Sequence, residues 1–220
     1  MQYDKKIWNS EYWGIKGALL ESLMTLPKNI RESGLLSALI KRVSDFYSAT
    51  GTAQKMRGKG KIWTLRYYTC ATLTFFFWIK VYVLNTFFGF RITTSGQYDV
   101  MGTVGAKLGF KKVARRYLLS AVKKVTTKNP IHERALPICQ FLLLEAGSGT
   151  NKEQAFYSIL STYLEVPADL WPDKNQLGRV LRATIEYEKK IGRNKDAEAH
   201  QSMFEKIELG QDQKVKAELV

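Results

Sequence analysis

"YYTCATLTFFFWIKVYVLNTFFGF", residues 67–90, is the stretch on which the fold turns. It contains no proline, no acid and no glycine before Gly89, yet Lys80 stands near its middle. Three structures suit such a run. It can be a membrane-crossing helix, a core helix of a soluble bundle, or paired strands, which aromatic and β-branched residues favour. No turn signal divides it, which counts against strands, and soluble core helices are rarely apolar all round.

Magnitudes favour the membrane helix. The run has 24 residues, and at 1.5 Å per residue a helix of that length reaches about 36 Å, enough for about 30 Å of hydrocarbon. Its eleven Phe, Leu, Ile and Val residues contribute about −5 kcal/mol on an insertion scale. Lys80 costs about 3 kcal/mol, less if it snorkels, and Asn85 adds to that cost. A lone helix is therefore marginal, and one assembled with protein partners is favourable. On a helical projection Arg66, Thr69, Leu73 and Lys80 fall near one face, the expected polar line toward a protein neighbour.

Upstream, "QKMRGKGKIW" interleaves Lys55, Arg57, Lys59 and Lys61 with glycine, which predicts a flexible basic loop. Trp63, Arg66, Tyr67 and Tyr68 follow at once. Cations beside aromatics are what a bilayer interface selects, so Arg57, Lys59, Lys61, Trp63 and Arg66 are candidate ligands for anionic lipid headgroups. Further toward the N-terminus, "SGLLSALIKRVSDFYSATG" places Leu35, Leu36, Leu39, Ile40, Val43 and Tyr47 on one stripe, with Ser33 as N-cap and Gly51 as stop. "WGIKGALLESLMTLP" gives a second short apolar face ending at Pro27. These read as packed helices or as helices lying on a membrane surface. The first residues carry acids and tryptophans without an apolar signal region, so targeting is expected to use an internal signal.

Charge is divided unevenly. Residues 1–132 hold 22 Lys and Arg against 6 Asp and Glu, leaving 12 against 14 for residues 133–220 of a chain whose net charge is +14. Such asymmetry points to an anionic partner for the first part: phospholipid, nucleic acid or an acidic protein face. Cys70 and Cys139 make no disulfide framework and read as small apolar residues.

After a loop at "RITTSGQYD" the periodicity changes to a helical-hairpin frame. Lys107-Leu108-Gly109 with Ala114, and Lys190-Ile191-Gly192 with Ala197, share a glycine-to-alanine spacing of five; Ala155 recurs loosely between them. Each frame needs a glycine to end one helix and a small residue where the next crosses it closely. Met101, Gly102, Gly109, Ala114 and Ala121 in the first hairpin, and Gly192, Ala197 and Phe204 in the last, match small-residue positions of the tetratricopeptide repeat. The chain resembles that family over about 97–207, with a longer period and an interruption at "VPADLWPDKNQ". The resemblance implies antiparallel helix pairs and a protein-binding scaffold without chemistry of its own.

The first hairpin is also basic. From Met101 to His132 there is no acid, and Lys112, Arg115, Arg116 and Lys123 form an outward stripe when Ala114, Leu118, Ala121 and Val125 pack inward. A stripe of one sign suits an anionic partner. Catalytic or cofactor sites find no support. His132 and His200 lack metal-ligand spacing, Asp196 and Glu198 point to different sides of a helix, and "EAGSGTNKE" lacks the placement of a phosphate-binding lysine, reading instead as a helix end at Gly147 followed by a cap.

The expectation is thus an all-α protein. Residues 1–61 form short helices and a basic loop, 62–92 a membrane helix, and 93–220 a domain of three repeat-like hairpins. It would be a non-catalytic, membrane-anchored scaffold: an accessory subunit that binds other subunits and anionic phospholipid, at the mitochondrial inner membrane, with its N-terminal side on the matrix or cytoplasmic face. No cofactor or metal is expected. The alternative is a soluble basic helical-repeat protein that binds RNA, as in a ribosomal particle.

Overall fold

The computed structural model describes residues 34–126, 128–171 and 174–218. Ser33 and the apolar face ending at Pro27 lie outside them. Among the described residues there are eight α-helices and no strand. The chain divides after Thr93 into two compact units.

In the first unit, α1 (Gly34–Met56) and α2 (Lys61–Phe87) are joined through a 3-10 turn at Arg57–Lys59 and Gly60, whose φ is 147°. So short a connection makes the two helices an antiparallel hairpin. Leu36, Leu39, Ile40, Val43 and Ala53 are buried on α1, and Cys70, Thr74, Trp78 and Val81 on α2. The second set recurs every three or four residues, hence as one stripe. Phe46 stacks on Phe77 at 5.6 Å between ring centroids, which fixes the axial match of the pair. Thr74 is buried without cost because its hydroxyl donates to the Cys70 carbonyl at 2.8 Å. At the end of α2, Gly89 adopts φ 69°, the Phe90 N–H returns to the Leu84 carbonyl, and Asn85 donates its side-chain N–H to the Phe90 carbonyl.

Four expectations change here. Gly51 does not stop α1, which runs on to Met56; an exposed helical glycine costs only about 1 kcal/mol, and packing against α2 outweighs it. The basic loop shrinks to the turn at 57–60. The stretch "SGQYD" is not loop but the start of a helix, because Thr94 and Gln97 close a capping box. Finally, α1 lies along α2, not at its end on a membrane face: the two helices pack side by side and Phe46 stacks on Phe77.

The second unit holds three successive hairpins: α3 (Ser95–Lys107) with α4 (Lys111–Lys124), α5 (Ile131–Glu145) with α6 (Asn151–Leu164), and α7 (Lys174–Lys190) with α8 (Asn194–Glu218). Consecutive hairpins join through their first helices, α3 against α5 and α5 against α7, and α4 also packs on α5. The first and third turns have the same hydrogen bonds. Gly109 and Gly192 take φ 88° and 78°, and the residue after each returns its N–H to a carbonyl five back, Phe110 to Gly105 and Arg193 to Glu188, both at 2.9 Å. Ala114 and Ala197 are buried at the crossings, as the spacing predicts. Ala155 is exposed and makes no such crossing. The middle turn needs two left-handed glycines, Gly147 and Gly149, which shifts its register relative to the other two. The core of this unit centres on Leu142, Leu160, Leu177 and Leu181.

Gly102 and Gly178 sit at helix crossings with different tolerances. A Cβ on Gly102 would lie 2.5 Å from Leu118 Cγ, whereas one on Gly178 would meet Phe204 at 3.4 Å. We predict that Gly102→Ala destabilises the second unit by about 1–3 kcal/mol through overpacking. Gly178→Ala should be neutral or stabilise by up to about 1 kcal/mol, because alanine loses less backbone entropy in a helix. Thermal unfolding of the two variants in mild detergent checks both.

Candidate functional site

The hairpin α1–α2 covers only one side of α2. Just 22 % of the most apolar window of Lys61–Phe87 is buried, and the helix is long and apolar enough to cross a membrane. Ile62, Leu65, Phe75, Phe76 and Phe87 are exposed, Leu65 at 67 % and Phe76 at 59 %. Thr69, Thr72 and Lys80 are exposed among them, so the open face is mainly apolar and aromatic with a few polar groups on it. The polar line is placed differently from expectation. Arg66, Thr69 and Lys80 are exposed and Leu73 is half-buried; the neighbour that the chain itself supplies, α1, packs on the Cys70–Val81 stripe instead. Asn85 is used in ending its own helix.

Around the turn the cations meet aromatic rings. Arg57 donates to the Tyr68 hydroxyl at 3.0 Å and lies over both the Tyr67 and Tyr68 rings; Arg66 lies over Trp63 at 5.3 Å. Lys59 and Lys61 are exposed. The structure therefore gathers all five headgroup candidates at one end of the hairpin. Guanidinium groups held near aromatic rings keep further N–H groups for an oxygen acceptor.

On the first hairpin Lys111, Lys112, Arg116, Lys123 and Lys124 are exposed, with Lys124 over Tyr98 at 5.7 Å. Arg115 leaves the stripe: it pairs with Glu145 of α5 at 3.1 Å. Ala114, Leu118 and Ala121 are buried, and Tyr117 joins them.

The second and third hairpins hold a buried acidic network that sequence reasoning missed. Glu153, in the first turn of α6, accepts the Gly147 N–H (3.0 Å) and Tyr187 hydroxyl (3.1 Å) on one oxygen, and the Gly149 N–H (2.8 Å) and Ser148 hydroxyl (3.0 Å) on the other. Its own N–H goes to the capping Thr150 hydroxyl. Burial alone would raise its pKa, but these bonds, led by the Gly147 N–H, outweigh that and hold it below the usual carboxylate range. Glu188, fully buried on α7, accepts from the Tyr157 hydroxyl at 2.7 Å and faces His200 Nδ1 at 2.9 Å. Burial first, then donation to Glu188, pushes the Tyr157 hydroxyl up to about 12. Burial and donation to Glu153 likewise raise Tyr187. Arg193 lies over the Tyr157 ring at 4.6 Å and pairs with Asp196 at 3.6 Å. Beside this network is an open cleft of about 510 Å³ lined by Glu153, Tyr157, Ser161, Tyr187 and Arg193, among others.

Two signals in the sequence pointed to it. Thr150 and Glu153 have capping-box spacing. Leu177, Leu181, Thr184 and Glu188 recur as one buried stripe, so Glu188 is an acid in an apolar register. His200 is half-buried against Glu188. His132 is far from it in sequence and shares no bond with it; among the described residues no group of three His, Cys, Asp or Glu could hold a metal ion. Cys139 is a buried thiol beside Thr184, raised to about 12 by burial. No protein-family model, curated protein or solved structure matches the chain.

The hydrogen bond to Glu188 raises the His200 pKa against the lowering effect of burial. In the unfolded chain histidine titrates near its ordinary value, about 6.5. The ion pair therefore contributes fully below about pH 6.5 and is lost as pH rises through the higher folded value. Stability of the third hairpin is expected to fall over that window, and His200→Gln should flatten the slope. Amide exchange of α7 and α8 measured on both sides of neutrality checks it.

Proposed function

We propose that this protein is a non-catalytic, membrane-anchored helical scaffold, an accessory subunit of a multi-subunit membrane complex. The observation that carries the reading is the uncovered apolar surface of α2. Among the described residues of the first unit, α1 covers one stripe of α2 and leaves much of the rest open, which suits lipid as the missing neighbour. Arg57, Lys59, Lys61, Trp63 and Arg66, gathered at the α1–α2 turn, would hold the phosphates of anionic phospholipid at that end of the span. Lys80 would snorkel or meet a polar group of another subunit. By the positive-inside tendency the turn would face the matrix or cytoplasm. With α1 running back along α2, that puts the start of α1 on the opposite face, which revises the expected matrix or cytoplasmic placement of the N-terminal side.

The three hairpins supply the binding part. Their order, with first helices adjacent and glycine turns alike in the first and third, supports tetratricopeptide-like stacking and, with it, recognition of partner subunits. The excess of cations over acids before residue 133 and the internal apolar helix suit the mitochondrial inner membrane, in a respiratory or ATP-synthesising complex. A second reading rests on the exposed lysines and arginines of α4: a soluble helical-repeat protein holding RNA phosphates, whose affinity falls steeply with salt.

Alkaline carbonate extraction separates the two. The scaffold reading predicts that the full chain stays with the membrane pellet, and that Lys80→Leu stays there at least as firmly, since it removes the costliest group of the span. Release into the supernatant, with salt-sensitive RNA binding, would replace it by the second reading.

A further inference from the structure

The stacking of Phe46 on Phe77 sets which residues of α1 share a level with which residues of α2. Both helices rise equally per residue, so in an antiparallel pair Asp45 lies about level with Trp78, Ser48 with Phe75 and Lys41 with Tyr82. Those levels are the middle and far half of the apolar run. If α2 crosses the bilayer, α1 crosses beside it. The two helices then present opposite chemistry at the same depth.

On α2 that depth is lined mainly by exposed Phe75 and Phe76, with Thr72 and the long Lys80 side chain also exposed. On α1, Lys41, Asp45, Ser48, Thr52 and Lys55 are all exposed, and their spacing of four, three, four and three makes one stripe along the helix. Lys41 and Asp45 bond each other at 2.9 Å, with their side chains 76 % and 48 % exposed, and Arg42 stands beside them. Hydrocarbon cannot solvate this face: an ion pair gives up hydration on every side that its partner does not cover. Leu36, Leu39, Ile40, Val43 and Ala53 are already buried on the inner side of α1, with Leu35 at its start exposed, so rotating the helix would only exchange one exposed set for another.

We infer that the outward stripe of α1, Lys41–Asp45–Ser48–Thr52, is an intramembrane docking seam for a transmembrane helix of another subunit. The inference rests on the anchor reading above and deepens it by saying where the partner binds. Hydroxyl-bearing and charged side chains across a helix pair are how polar faces are satisfied inside a bilayer. Within the seam Lys41 is paired with Asp45, and Arg42 and Lys55 at its margins leave the face with three cations against one acid. Its complement is therefore a helix with small or hydroxyl-bearing residues and a carboxylate near the level of Lys41 and Arg42. A second copy of this chain would set excess positive charge against excess positive charge at low dielectric, which disfavours a homodimer across the seam.

The test uses spin labels on the full chain in native membranes that contain its complex. Ser48→Cys and Thr52→Cys report the seam and Phe76→Cys the opposite face; the parent chain, whose Cys70 and Cys139 are buried, gives the background. Collisions with lipid-dissolved oxygen and with a water-soluble nickel chelate are measured. The seam predicts that the Phe76 label meets oxygen, while the Ser48 and Thr52 labels meet neither reagent. Both seam labels should become oxygen-accessible once the chain is purified and reconstituted alone. Oxygen contact at Ser48 and Thr52 in native membranes overturns the seam and leaves the anchor standing. Chelate contact there, with Phe76 still in lipid, makes the face a water-lined one and also overturns it. Spin–spin broadening between Ser48 labels puts a second copy on the face, against the hetero-subunit assignment. Chelate contact at Phe76 overturns the anchor itself.

Discussion

One constraint governs the first unit: among the described residues, α2 has more apolar surface than α1 covers. A single amphipathic helix, α1, can take one stripe of it, and does so through Cys70, Thr74, Trp78 and Val81. The remainder leaves Leu65, Phe75, Phe76 and Phe87 exposed, a surface whose transfer out of water is favourable. The proposals for this unit follow from that deficit. Lipid accounts for the aromatic side of α2; the cation–aromatic turn suits a headgroup layer; and the polar outer face of α1, held at the same depth, needs protein.

The second unit solves a different problem, that of turning short helices back on themselves. Gly109 and Gly192 do it with the same left-handed turn, and Ala114 and Ala197 let the returning helix cross closely. The middle turn does it with two glycines and an acid. Glu153 gathers the two N–H groups those glycines free and then reaches Tyr187 in the next hairpin. Glu188 answers from that hairpin through Tyr157. Both carboxylates are buried, and both have partners on their oxygens, the condition under which buried charge specifies an arrangement instead of opposing it. Joined this way, the second and third hairpins should unfold together, and the pH-sensitive His200 pair lies at the same junction.

Much of this was legible in the sequence, for physical reasons particular to each element. The apolar run from Tyr67 is helical as far as Phe87 because nothing before Gly89 breaks a helix. The paired glycines read as turns because φ near 80° excludes most other residues. What failed to show was whatever depends on a neighbour. Gly51 looked like a stop because the gain of packing α1 on α2 is invisible locally. The line of Arg66 and Lys80 looked like a contact face, yet shape, not polarity, chose the stripe with Cys70 and Trp78. Ala155 shares the alanine spacing but not the turn that would bury it. Glu188 and His200 lie twelve residues apart on different helices, so only the α7–α8 turn brings them together.

The most direct measurement of the central claim is lipid-edited solid-state NMR of the full chain in bilayers. Magnetisation starting on the acyl-chain protons should pass to the side chains of Phe75, Phe76 and Phe87, and magnetisation starting on water should miss them. Transfer from water to those three rings, with none from the acyl chains, would contradict the account.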